Sequence, residues 1–137
     1  MEAYASVPAL LGFTRKLLEN SGNHSILSRH KEKLDLPLLF QAAGKKDKLA
    51  RQVIDSEIEY LGTALANAVN LLNPEAIVIG GGLVEADDIF LKQLEKRIIQ
   101  KSFPTASRNL RVFRAKLGNS AGLVGAGLYC LDHPGAN

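Results

Sequence analysis

Residues 61 to 84, LGTALANAVNLLNPEAIVIGGGLV, constrain the fold of this chain more than any other stretch. A helical pattern runs to Leu72 and must stop at Asn73-Pro74, because proline has no amide to continue the ladder. Ala76-Ile77-Val78-Ile79 then predicts a short strand. A continuous apolar run, β-branched in its middle, predicts cover on both faces, as in a parallel α/β sheet. Three glycines follow, Gly80, Gly81 and Gly82. They bare the backbone at the carboxyl end of the strand, where open α/β sheets bind their ligands.

The flanking sequence is mostly helical. Ser6 and Pro8 predict an N-cap and a first turn, and Val7, Leu10, Leu11, Thr14, Leu17 and Leu18 share one helix face until Ser21-Gly22. Residues 23 to 34 show no period and predict a loop. Asp35 caps a short helix carrying Leu38, Leu39 and Phe40 inward, ended by Gly44, and Asp47 caps the next. Ile54, Ile58, Leu61, Leu65, Val69 and Leu72 keep one face for about seven turns. Gly62, Ala64, Ala66 and Ala68 predict a close neighbour along its second half.

Beyond the glycines, Asp87 or Asp88 starts a helix with Ile89 or Phe90, Leu91, Leu94 and Ile98 inward, and Pro104 lies past its end. Residues 110 to 113 alternate as a strand nearer a sheet edge. Asn119 or Ser120 caps a last helix, AGLVGAGLYCL, whose Gly122, Gly125 and Gly127 each cost about 1 kcal/mol against alanine. That cost predicts close approach of a neighbour. The sum is a helix-rich α/β chain with two strands. So small a sheet leaves edges unpaired and predicts further strands from upstream sequence or from a second copy.

The 137 residues suit a single domain, and 46% hydrophobic residues can form a core. The net charge of +3 is spread along the chain without the clustering that phosphate backbones select, so no nucleic-acid partner is expected. A single cysteine, Cys130, excludes an internal disulfide, and no Cys or His pair has zinc-site spacing. His24, His30 and His133 lie in polar surroundings and are read as surface residues. With no apolar run of membrane length and acidic Glu2 in place of a basic leader, the expected setting is cytoplasmic, without a membrane partner.

Three segments carry a family resemblance. EAYAS at 2 to 6, LGTALANAVNLLNPEAIVIGGGL at 61 to 83 and LGNSAGLVGAG at 117 to 127 resemble, in order and spacing, the C-terminal part of the ROK family of sugar kinases and sugar-responsive repressors. The resemblance implies a partial actin-like (ribonuclease H-like) ATPase lobe over residues 1–137, truncated and short of the lobe's first strands. The family's partners would be a sugar and ATP with Mg²⁺. Its phosphate loops, catalytic Asp, sugar-binding His and His/Cys zinc cluster have no counterpart among these residues, so a structural zinc is not supported.

By the same resemblance Glu2 corresponds to a carboxylate that hydrogen-bonds sugar hydroxyls, as an acceptor-only group can. Glu2 would otherwise be a solvated second residue. Gly80, Gly81 and Gly82 correspond to the adenosine motif, where a missing Cβ lets the nucleotide lie on the backbone; the plainer reading is a tight strand-to-helix turn. Gly122 and Gly125 match the glycine-rich final helix and are read as packing positions. The implied function is the nucleotide-side lobe of a hexose or N-acetylhexosamine kinase, inactive by itself. The alternatives are the sugar-sensing half of a ROK repressor and a non-catalytic self-association module forming homo-oligomers.

Overall fold

The computed structural model of the protein describes residues 6–20 and 24–133. Helix α1 (Val7–Asn20) opens this part, with the Ser6 hydroxyl accepting from the Ala9 amide. It buries Leu10, Thr14 and Leu18, spaced by four residues on one face. Residues Ile26–Lys33 depart from the expected loop and wind as 3₁₀ turns with a kink at His30. Ser25 caps them, and Leu27 is fully buried beneath them. Helix α2 (Leu36–Gly44) starts on Asp35, whose side chain accepts from the Leu38 amide at 2.9 Å.

Helix α3 (Lys48–Leu72) is a 25-residue beam on which α1, α2 and the helix over Asp88–Lys101 pack. Ile54, Ile58, Leu61 and Val69 are buried as the periodicity predicts, with Val53 and Ala66 buried beside them, whereas Leu65 is half-buried and Leu72 is exposed. Asn73 closes it in the left-handed region at φ 47°, its amide bonded to the Val69 carbonyl, and Pro74 follows. Strand β1 (Ala76–Ile79) leads through the glycines to the one-turn helix α4 (Gly82–Ala86). Asp87 then caps α5 (Asp88–Lys101), accepting from the amides of Ile89 and Phe90. Helix α6 (Pro104–Ser107) precedes strand β2 (Arg111–Arg114), and a 3₁₀ turn at Gly118–Ser120 leads into α7 (Ala121–Asp132).

The core gathers between α3 and the helices around it. Leu18, Leu27, Leu39, Val53, Val69, Val84, Phe90, Leu94 and Ile98 are among its buried residues. Phe40 meets Phe90 edge to face, with centroids 5.8 Å apart and planes at 86°. The small residues of α3 do admit a neighbour: a Cβ on Gly62 would fall on the Cγ of Arg97 in α5. Across this seam Glu59 pairs with Arg97 at 3.0 Å and with Lys101.

Strands β1 and β2 pair in parallel, with Ala76 opposite Arg111 and Ile79 opposite Arg114. Ile77, Ile79 and Val112 turn toward the core. The cover expected on both faces of β1 is absent among the described residues, since Val78 is 65% exposed and its partner Phe113 45%. Helices reach only one face. The neighbour expected beside the glycines of α7 is missing in the same sense: α7 is exposed along its length, and a Cβ on Gly122, Gly125 or Gly127 would meet nothing within 4 Å.

Candidate functional site

Both parallel strands release the chain at the same end. After β1 come Gly80, Gly81 and Gly82; after β2 come Ala115, Lys116, Leu117 and Gly118. The amide of Ala115 donates to the carbonyl of Ile79 at 2.9 Å, which extends the pairing one step past β2 and sets the two turns side by side. This is where a parallel sheet leaves a crevice for a ligand.

The three glycines have different physical reasons. A Cβ at Gly80 would sit 3.2 Å from the Cβ of Ala115, so the neighbouring turn presses close. A Cβ at Gly82 would touch Leu36 at 3.4 Å and Val7 at 3.6 Å, an ordinary contact that seats α4 against α1 and α2. Gly81 alone lies at positive φ, 107° with ψ 167°, a region that residues with a side chain scarcely enter. A Cβ there would meet nothing within 4 Å. The backbone of Gly81 therefore borders open space.

Opposite the glycines, Gly118 also takes positive φ, 49°, and a Cβ on it would overlap the Glu85 carboxylate of α4. Sequence reasoning did not single out Gly118, Ala115 or Glu85. Gly-Asn after a strand is a turn signal that could have pointed to the first. Arg114, at the end of β2, pairs with Asp88 in the first turn of α5 and ties the sheet to the helix that follows the glycine turn. Glu2, the predicted sugar ligand, lies outside the described residues. Among the described residues no cluster of acidic, His and Cys side chains could hold a metal ion, so no Mg²⁺ or zinc site is assigned to this part of the chain. No helix of the described residues is long and apolar enough to cross a membrane.

Several grooves lie away from the glycine turn. One of about 760 Å³ is lined by Lys45, Lys46, Lys48 and His24 around the start of α3, and one of about 440 Å³ lies between Phe40, Arg51 and Phe90. The start of α3 is ruled by Asp47, whose carboxylate accepts from the Ala50 amide at 2.9 Å, the Ile26 amide at 2.7 Å and the Ser25 hydroxyl. Burial pushes this carboxyl up, but the hydrogen bonds outweigh it and hold Asp47 below the usual carboxylate range.

With the fold and this turn in hand, comparison with known proteins decides the family. The ROK family model matches residues 1–132. The chain belongs to the ROK family. ROK relatives of two kinds resemble it. The glucokinase of Halalkalibacterium halodurans is 42% identical over 89 residues, which cover 65% of this chain and 27% of that protein. The transcriptional repressor Mlc of Escherichia coli is 32% identical over 128 residues, covering 93% of this chain and 31% of the repressor. The chain thus spans less than a third of the length of these two ROK relatives. Among solved structures, a Cytophaga hutchinsonii protein assigned as a sugar kinase superposes with a TM-score of 0.81 at 25% identity, over 95% of this chain and 43% of that one. The fold is accordingly a helix-rich α/β portion of the actin-like ROK architecture, with a small sheet.

Proposed function

We propose that this chain is the nucleotide-side part of an ATP-dependent sugar kinase of the ROK family, with adenosine lying on Gly80, Gly81 and Gly82. The observation that carries this reading is Gly81: its φ of 107° excludes a side chain, and its Cβ direction opens onto empty space at the carboxyl end of a parallel strand. The glucokinase relative supports a hexose as the substrate class, and the family resemblance adds N-acetylhexosamines. Glu2 would accept hydrogen bonds from two sugar hydroxyls. ATP, when bound, supplies the phosphoryl group; the residues of this chain hold the adenosine and one side of the sugar. Transfer itself needs positioned phosphates, Mg²⁺ and a base for the sugar hydroxyl, and residues 1–137 offer no counterpart of the family's phosphate loops or catalytic Asp. The chain alone is inactive, and a cytoplasmic setting suits its substrates.

The test is a titration of the ¹⁵N-labelled chain with a non-hydrolysable ATP analogue, together with a coupled phosphorylation assay on glucose, N-acetylglucosamine and N-acetylmannosamine. Amide shifts centred on residues 80–82 without turnover are expected. Turnover of any of these sugars overturns the inactivity, and shifts that avoid the glycine turn overturn the nucleotide site.

The similarity to Mlc favours a second reading, the sugar-sensing half of a ROK repressor. It predicts sugar binding that is indifferent to nucleotide. The upstream reading frame separates the two: an intact Asp-x-Gly-x-Thr loop for the kinase, a winged helix-turn-helix for the repressor.

A further inference from the structure

Glu57 stands apart from every role given above. It occupies the stripe of α3 that also carries Val53 and Leu61, one helical turn to either side, and it is only 2% exposed. Its Oε1 is buried and has no hydrogen-bond partner. The side chain lines a cavity of about 230 Å³ between α1 and α3, whose walls include Leu10, Phe13, Val53 and Tyr60. Ser56 also borders it, but its hydroxyl donates to the Gln52 carbonyl at 2.9 Å. Phe13 and Tyr60 are 41% and 54% exposed, which puts two aromatic rings where the cavity meets solvent.

Buried polar atoms in native proteins are nearly always satisfied, so an orphan carboxylate oxygen on a residue that lines a cavity asks for a partner. The volume would hold several waters at about 30 Å³ each, but each water needs two to four polar partners. Walls of leucine, valine and aromatic carbon supply few. A sugar fits no better, because one carboxyl would leave its other hydroxyls stranded against carbon. A ligand with an apolar stem and a single donor-bearing head matches the lining. A cationic head gains most: it pairs with an ionised carboxylate out of water, and ring faces attract cations. The cavity is smaller than typical small-molecule pockets of roughly 300–1,000 Å³, which limits the stem to a few carbons. Burial pushes the Glu57 carboxyl up to about 7, so a cation that pairs with it also draws off its proton.

We propose that the cavity between α1 and α3 is a binding site for an organic cation, an alkylammonium or alkylguanidinium, whose head pairs with Glu57 and whose stem lies between Leu10, Phe13 and Val53. The cation could be a free amine or the lysine or arginine side chain of a protein. The site is independent of the glycine turn and of the kinase reading.

The test uses the 137-residue chain labelled at the glutamate carboxyl carbons and followed by NMR against pH. The free probes are n-butylammonium and n-butylguanidinium, the side-chain probes are the Nα-acetyl amides of lysine and arginine, and n-butanol is the neutral control. A saturating cation should lower the titration midpoint of Glu57 by about one pH unit or more, which corresponds to a tenfold preference for the ionised form. n-Butanol should leave the midpoint in place. Glu57→Gln should weaken cation binding at least about tenfold. Binding of all four cations assigns the site to free amines, and binding of the acetyl amides alone assigns it to a protein side chain. An unmoved midpoint with every cation, equal binding of n-butanol, or undiminished binding by Glu57→Gln overturns the proposal. The wild-type midpoint decides the matter even if the variant folds poorly.

Discussion

The Ala115 amide and the Ile79 carbonyl, 2.9 Å apart, join the residue after β2 to the last residue of β1. This bond explains why the first glycine of the turn is small. With Ala115 held there, a Cβ on Gly80 would stand 3.2 Å from the alanine methyl. The second glycine answers to its own backbone instead. Packing and conformation thus divide the glycine run between them, and only Gly81 leaves its side-chain direction open toward solvent.

That division predicts different costs for one methyl group. Gly81→Ala should destabilise the chain by about 1–3 kcal/mol, the usual cost of a strained backbone conformation, although its Cβ meets nothing. Gly80→Ala should cost less, since Ala115 need move only slightly. Urea unfolding of both variants checks the order. Equal stability of Gly81→Ala and wild type would mean that the turn is free to adopt another path.

The glycines in helices separate in the same way. Gly62→Ala drives a Cβ into Arg97, lying 3.0 Å from its Cβ and closer still to its Cγ, at the seam between α3 and α5. Overpacking of this kind costs about 1–3 kcal/mol. Gly125→Ala in α7 has room, and the better helix propensity of alanine should add up to about 1 kcal/mol. Opposite signs in thermal unfolding are expected. A destabilising Gly125→Ala would reveal a partner that covers α7 in solution.

How much of the fold and the site is legible in the sequence follows from what each residue senses. Asp35, Asp47 and Asp87 announce helix starts because a cap acts within three residues of sequence, and the stripe from Ile54 to Val69 announces α3 because burial repeats with the turn. The 3₁₀ turns at Ile26–Lys33 are invisible there, since they are short, kinked at His30 and bury Leu27 alone. The apolar run of β1 speaks of cover that it needs, whereas the described residues cover one face and leave Val78 and Phe113 bare. Gly81 is legible as glycine, but its pairing with open space is not. Gly118 against Glu85 depends on two turns meeting, which no spacing encodes. Glu57 hides among the acidic residues Asp55 and Glu59, and only its phase with Val53 and Leu61 betrays it.

Asp47 should dominate acid sensitivity. Asp47→Ala removes a cap worth about 0.5–2 kcal/mol and strands the buried donors near Ser25 and Ile26, for a loss of about 2–4 kcal/mol altogether. Its folded pKa lies below the ordinary aspartate value of 3.8, so the unfolded chain takes up the proton first. The stability it contributes is therefore present above that pH and is lost as pH falls through 3.8 and below. Asp47→Asn should remove this acid-dependent component. Chemical denaturation of the two chains over the acid range measures the difference, and parallel pH profiles would rule the assignment out.

Glu57 predicts the opposite slope in a different window. Its carboxyl is raised from 4.5 to about 7 by burial, so the folded chain holds the proton over a range in which the unfolded chain has released it. Its share of stability is complete below 4.5, declines as pH rises toward 7 and is constant above. The decline amounts to about 3–4 kcal/mol at most, because each pH unit between the unfolded and folded midpoints is worth about 1.4 kcal/mol. Glu57→Gln has no proton to lose. It should match wild type at the acid end and exceed it at the alkaline end by the amount wild type has lost. Other carboxylates and the histidines titrate alike in both chains, so the difference between their unfolding free energies isolates this residue. The difference should grow steadily with pH between the two values and then stop. If it stays flat or shrinks, Glu57 is ionised without penalty and its buried oxygen has a partner in solution.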